Sequence, residues 1–230
     1  MSDLEVIYED NHLIAVNKHS GEIVQGDKTG DEPLSETIKK WLKEKYDKQG
    51  NVFCGVIHRI DRPVSGVVLF AKTSKALARM NQLIQNRQLH KKYWALVKNA
   101  PPQPQGNLVH YLYRIERLNK SIVSNTPKKE YLRAELNYSL IASSETYHLL
   151  EIELITGRHH QVRAQLAAIG SPIKGDMKYG FPRPNHNGSI SLHARSVCFV
   201  HPVSLQTVYI EASPPDDRLW RRFVEAYANS

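Results

Sequence analysis

The sequence predicts an α+β fold with a mixed, largely antiparallel sheet and flanking helices. Three observations lead there. Strand-like and helix-like segments are interspersed without strict βαβ alternation. No internal repeat or low-complexity tract interrupts the 230 residues. No strong linker divides them either, so residues 1–230 are expected to form a single domain, as that length allows.

Composition supports a packed core, with 41% hydrophobic and 23% charged residues. No apolar run reaches the roughly 20 residues that cross a bilayer, so no membrane partner is expected. The start, Met1-Ser2-Asp3-Leu4-Glu5-Val6, is acidic and lacks the basic-then-apolar layout of a signal peptide. The formal net charge of +8 suits a phosphate-rich partner. Cys54 and Cys198 have neither zinc-finger nor Cys-x-x-Cys spacing, which points to reduced thiols and the cytoplasm.

The elements follow in order. Two short strands over 4–8 and 13–17 flank the turn residues Glu9-Asp10-Asn11. Residues 21–32 are polar and glycine-containing, a loop. Leu34, Ile38, Trp41 and Leu42 share one face of a helix over 33–48. An apolar strand over 66–72 precedes a second helix, which Ser74 is placed to cap and which ends near Asn86. Leu77, Met80, Leu83 and Ile84 give that helix its apolar stripe. Strands are expected over 93–97, 108–115, 133–141 and 147–154, with Pro101-Pro102-Gln103-Pro104 as a stiff connection. Thr156-Gly157 then opens a helix bearing Val162, Leu166 and Ile169, which ends at Gly170. A surface loop over 182–189, strands over 191–200 and 205–211 and a helix over 218–227 complete the chain.

Three segments carry chemistry. In Arg59-Ile60-Asp61-Arg62-Pro63, an aspartate stands between two arginines on a turn before the apolar strand. Nearby positive charge stabilises its ionised form, which can serve as nucleophile or base. Asp-x-Pro also makes an ordinary turn, in which the carboxylate bonds only to its own backbone. In His90-Lys91-Lys92-Tyr93-Trp94, a tyrosine at a strand start can stack on a base, or simply fill a core. In Thr156-Gly157-Arg158-His159-His160-Gln161-Val162-Arg163, the expected helix start is an anion site reinforced by Arg158 and Arg163. The pair His159-His160 does not read as a metal site. Neighbours on a helix point apart, and no acidic partner lies at ligand spacing. No phosphate loop, dinucleotide fingerprint or Gly-x-Ser-x-Gly elbow occurs.

The run His58-Arg59-Ile60-Asp61-Arg62-Pro63-Val64-Ser65-Gly66 resembles the catalytic signature of the RluA-type pseudouridine synthases. Other stretches are similar to that family in register. They are the opening hairpin through Lys18, the Lys-x-Tyr-x-Ala strand at Tyr93, the Gly-Arg segment before Arg163, Gly170-Ser171-Pro172-Ile173-Lys174-Gly175-Asp176-Met177-Lys178-Tyr179-Gly180, Leu192-His193-Ala194 and Phe199-Val200-His201-Pro202. Two positions depart from it: Val64 stands where the family has threonine, and His159 where it has threonine or serine.

The resemblance implies a pseudouridine synthase-like sheet with a central cleft, in a short form without the family's N-terminal RNA-binding domain. It implies an isomerase, an intramolecular transferase, that converts uridines of structured ribosomal or transfer RNA to pseudouridine. The expected protein is a monomer and needs no cofactor or metal. Asp61 would be the essential carboxylate, by direct attack on C1′ or through a glycal route. Arg163 would pair with it and Tyr93 would stack on the uracil. Arg59 would fill the space left by the flipped base, and Leu192 would wall the base pocket. Arg62 and Arg158 would meet RNA. The competing expectations are an RNA-binding module that modifies nothing, and a phosphodiesterase using His159 or His160.

Overall fold

The computed structural model describes residues 4–27 and 29–228. The acidic start at 1–3 lies outside the described residues. In chain order the elements are β1 (Val6–Glu9), β2 (Leu13–Lys18), α1 (Leu34–Lys45), β3 (Gly55–Val56), β4 (Ser65–Ala71), α2 (Ser74–Gln85), β5 (His90–Val97), β6 (Gln105–Ile115), β7 (Lys120–Ser124), β8 (Leu132–Ser143), β9 (His148–Leu154), α3 (Gln161–Ala168), β10 (Leu192–Val200), β11 (Thr207–Glu211) and α4 (Arg218–Ala228). One-turn 3-10 helices cover Glu116–Leu118 and Met177–Tyr179. These residues cluster into two compact units. One comprises Met1–Leu89 and Ala194–Pro214, the other His90–His193 and Pro215–Ser230.

In the first unit the strands run in the order β1-β2-β4-β10, with β11 paired to β10 and β3 to β4. Asp10 builds the β1–β2 turn: its Oδ1 accepts the backbone N–H groups of His12 and Leu13, each at 2.7 Å. Leu13, Ala15, Val67, Leu69 and Ala71 pack with Ala76 and Met80 of α2 in one cluster. The alternate residues, Ile14, Val16, Val68 and Phe70, are at most 1% exposed, so β2 and β4 are covered on both faces. This is why both read as continuous apolar runs.

The second unit is a meander-like sheet in the order β5-β9-β8-β6-β7, antiparallel throughout. Trp94, Leu96 and Leu149 pack with Trp220 and Phe223 of α4. Leu112 and Ala134 pack with Ala164 of α3 and with Tyr179.

Four expectations change. Thr73, not Ser74, caps α2, because its hydroxyl accepts the Ala76 N–H at 3.1 Å. The sequence reading omits β7, a five-residue strand reached through Asn119 in the left-handed region at φ 44°. It also omits the two-residue β3. The fourth change concerns α3, which starts at Gln161 rather than at Thr156-Gly157. Thr156 still continues the β9 ladder through its N–H to the Glu135 carbonyl. Gln161 Oε1 then accepts the Arg158 N–H at 2.9 Å and the Thr156 hydroxyl at 2.8 Å, closing a non-helical turn before the helix. His160 leaves that turn with φ 53°.

Candidate active site

The Asp61 turn is built by its backbone. His58 Nε2 accepts the Leu69 N–H at 3.2 Å, and the Ile57 N–H reaches the Leu69 carbonyl, so the segment runs along β4. The chain then turns at Asp61, whose carbonyl accepts the Val64 N–H at 3.0 Å. The next two carbonyls are also held. Arg62 O accepts the Gly21 N–H at 2.8 Å and Lys18 Nζ at 3.2 Å, and Pro63 O accepts the Ser20 hydroxyl at 3.1 Å. Immediately beyond, Gly66 (φ 115°) lies so close to β10 that a Cβ there would stand 2.3 Å from the Ala194 carbonyl oxygen. Only glycine lets the strand that follows the turn seat against β10.

Asp61 is half-buried, while Arg59 and Arg62 are exposed. The local sequence places these two arginines beside it, and the resemblance implies Arg163 as its charge partner. Arg62, however, directs its guanidinium to Asp31 at 2.7 Å. Lys18 supplies a charge from below. Its side chain is fully buried, and Nζ donates to the His19 carbonyl at 2.8 Å as well as to Arg62. Burial brings the Lys18 pKa down to about 8, against the pull of Glu22 and Asp61, with Arg62 pushing it further down.

In the second unit Tyr93 lies on β5, 7% exposed, opposite Ile152 of β9. Arg163, in the first turn of α3, is 5% exposed and locked in a two-point fork with Asp176. Nε meets Oδ2 at 2.7 Å and Nη2 meets Oδ1 at 2.9 Å. The guanidinium also lies over the Tyr179 ring, 5.2 Å from its centroid. Tyr179 is fixed in turn, since its hydroxyl accepts the Ser121 N–H at 2.8 Å and lies 3.0 Å from His160 Nδ1. Arg163 is thus a permanent charge with a fixed plane. Arg158 is exposed and bonds the Arg133 carbonyl at 3.0 Å. Leu192 begins β10 and is 4% exposed.

The two histidines are not on the helix, and their rings do not point apart. They stack at 3.8 Å. His159 engages Ser121 through Nδ1 at 2.9 Å and Asn119 through Nε2 at 3.0 Å. Burial, with the Arg163, His159, Lys178 and Arg114 charges adding, holds His160 down to about 2, so it stays neutral. No group of three or more potential metal ligands occurs among the described residues.

Comparison with known proteins decides the family. The sequence profile described as RNA pseudouridylate synthase matches residues 12–168, a stretch that contains Asp61, Tyr93 and Arg163. The chain belongs to the RNA pseudouridylate synthase family. As an RNA pseudouridine synthase it is an isomerase, of the RluA type that its motifs resemble. It is 32% identical to ribosomal large subunit pseudouridine synthase D of Zymomonas mobilis, over 93% of this chain and 70% of that protein. It is 29% identical to tRNA pseudouridine synthase C of Vibrio vulnificus, over 97% and 95% of the two chains. The structure of human RNA pseudouridylate synthase domain containing 4 superposes with a TM-score of 0.78 at 22% identity, covering 97% of this chain and 93% of that one. That likeness establishes the α+β fold of the synthase.

The sequence patterns single out neither Lys18, which lies near Asp61, nor Asp176, which holds Arg163. Lys18 had a signal, a lysine ending the apolar run Leu13-Ile14-Ala15-Val16. Asp176 lies in the Gly-Asp-x-x-Tyr-Gly motif, beyond the stretch the family profile matches, and no spacing rule links it to Arg163. No helix among the described residues is long and apolar enough to cross a membrane.

Proposed function

We propose that this synthase isomerises specific uridines in structured ribosomal or transfer RNA, with Asp61 as its catalytic carboxylate. The observation that carries this reading is the turn itself. Asp61 is half-buried on a segment whose three successive carbonyls are all tied, with the Lys18 ammonium beneath it. A turn tied in this way holds the Asp61 backbone in place before the substrate arrives, which favours an attacking or proton-transferring group on it. The names of the relatives, one acting on the ribosomal large subunit and one on tRNA, support both RNA classes as substrates.

The target uridine leaves its stack so that a side chain can reach the sugar. The N1–C1′ bond breaks, the uracil turns, and C5 joins C1′. N1 gains a proton and C5 loses one. Asp61 acts at C1′ or on the departing base. Arg163, whose Nε–Nη2 edge is held by Asp176, serves Asp61 as charge partner through the rest of its guanidinium. Tyr93 stacks on the uracil, Leu192 walls the pocket, and Arg59 takes the place of the flipped base. Arg62 and Arg158 meet phosphates. The enzyme works as a monomer in the cytoplasm.

RNA carrying tritium at uridine C5 tests this. Tritium release with intact strands is expected from the wild type. Asp61→Asn should abolish release while sparing RNA affinity, because phosphate contacts supply most of that affinity. Undiminished turnover by the Asn variant would refute the assignment.

A further inference from the structure

Strand β5 carries two lysines in succession, and the structure treats them differently. Lys92 shares its face with Glu151 and Glu153 of β9 and forms an ion pair with Glu151 at 2.6 Å. Lys91 lies on the opposite face, the one that carries Tyr93, because successive strand residues alternate. The β9 residues of that face are Ile152 and Leu154, and neither can neutralise an ammonium. Lys91 is half-buried and has no hydrogen-bond or ion-pair partner among the described residues. Its Nζ stands 3.6 Å from where a Cβ on Gly157 would be, and apart from Gly157 and its chain neighbours nothing else among the described residues lies within 4 Å of that point. Gly157 therefore presents bare, exposed backbone to the ammonium. The next side chain, Arg158, adds positive charge rather than a counter-ion. Burial alone lowers the Lys91 pKa.

A partly desolvated cation without an anion is unfavourable in the free protein. It becomes favourable once an anion arrives from outside. In an enzyme whose substrate is RNA, the anion at hand is a phosphodiester.

We propose that Lys91 is a phosphate-binding residue, which takes a backbone phosphate of the RNA next to the nucleotide held at Tyr93, in the space that Gly157 leaves open. The inference rests on the Tyr93 reading for its location and stands on the unpaired ammonium for its chemistry.

The test compares Lys91→Met with Lys92→Met. Binding to a fluorescent uridine-containing RNA hairpin is measured across a range of KCl concentrations, and tritium release is measured on labelled total RNA. Lys91→Met should weaken binding about tenfold near 0.1 M salt and flatten the salt dependence by about 0.7 in log–log slope, the value for one phosphate on single-stranded RNA. Lys91→Arg should restore most of both. The Met variant should melt no lower than the wild type, since it removes an uncompensated charge. Lys92→Met should leave the slope unaltered. A Lys91→Met slope equal to the wild-type slope overturns the proposal. A drop in melting temperature with unchanged slope does so as well, by marking Lys91 as a structural lysine. If Lys91→Met cannot be folded, Lys91→Gln is read by the same two slopes. The binding arm does not depend on turnover, so absent tritium release from the wild type would overturn the isomerase site and leave the Lys91 result standing on its own.

Discussion

Among the described residues, Lys18 in one unit and Arg163 in the other lie almost out of solvent, and the two are held in different ways. Arg163 meets a full negative charge, a two-point fork with Asp176 in which the carboxylate is 1% exposed. Lys18 meets neutral backbone, the carbonyls of His19 and Arg62, with Asp61 and Glu22 acting only through space. A guanidinium in a fork stays charged and stays in plane. An ammonium held by carbonyls keeps a titratable proton. The first arrangement suits a fixed charge partner. The second suits a support for a turn.

The largest effect should come from breaking the fork. Asp176→Asn removes the carboxylate of a buried two-point fork and should destabilise the protein by about 3–5 kcal/mol, read from urea unfolding. If Asp176 works through Arg163, its effect on turnover should vanish in an Arg163→Lys background, which a double-mutant cycle would show.

Replacing Lys18 should be milder for stability and visible in pH. Its folded pKa of about 8 lies below the usual 10.5. Below about 8 both folded and unfolded chains carry the proton, and the full cost of burying the charge is present. Between about 8 and the unfolded value the unfolded chain holds the proton more tightly, so this group's contribution to stability rises with pH. Melting temperatures of wild type minus Lys18→Met should climb across that window. No such slope should arise from Arg163. A flat difference curve would mean that Lys18 titrates normally.

Smaller still is the exposed Arg62–Asp31 pair. Arg62→Ala should shift stability by only about 0–1 kcal/mol, since solvent screens both groups. Its RNA affinity should fall uniformly across sequences.

What the sequence made legible follows the same physics. The apolar runs of β2 and β4, the Asp10 turn and the Asp61 turn announce themselves, because burial on both faces and turn chemistry leave local marks. The α3 start lies later than the sequence predicts because the Gln161 side chain, contacting Thr156 and Arg158, closes a turn that no local pattern advertises. No local pattern joins Asp176 to Arg163, since the fork spans thirteen positions and is made by tertiary packing. β7 escaped because five residues with polar ends show too little alternation. To Arg59 and Arg62, and to the Arg163 partner that the resemblance implies, the structure adds Lys18 of the opening hairpin, a buried cation that no local pattern ties to Asp61.

The interrupted order of the first unit bears on how the protein is made. Strand β4 seats its Gly66 against Ala194, yet at least 128 residues separate the two on the ribosome. At roughly 5–20 residues per second, the nascent β4 waits several seconds or more for that neighbour. During this interval an apolar strand edge stands open, a surface on which a chaperone could act.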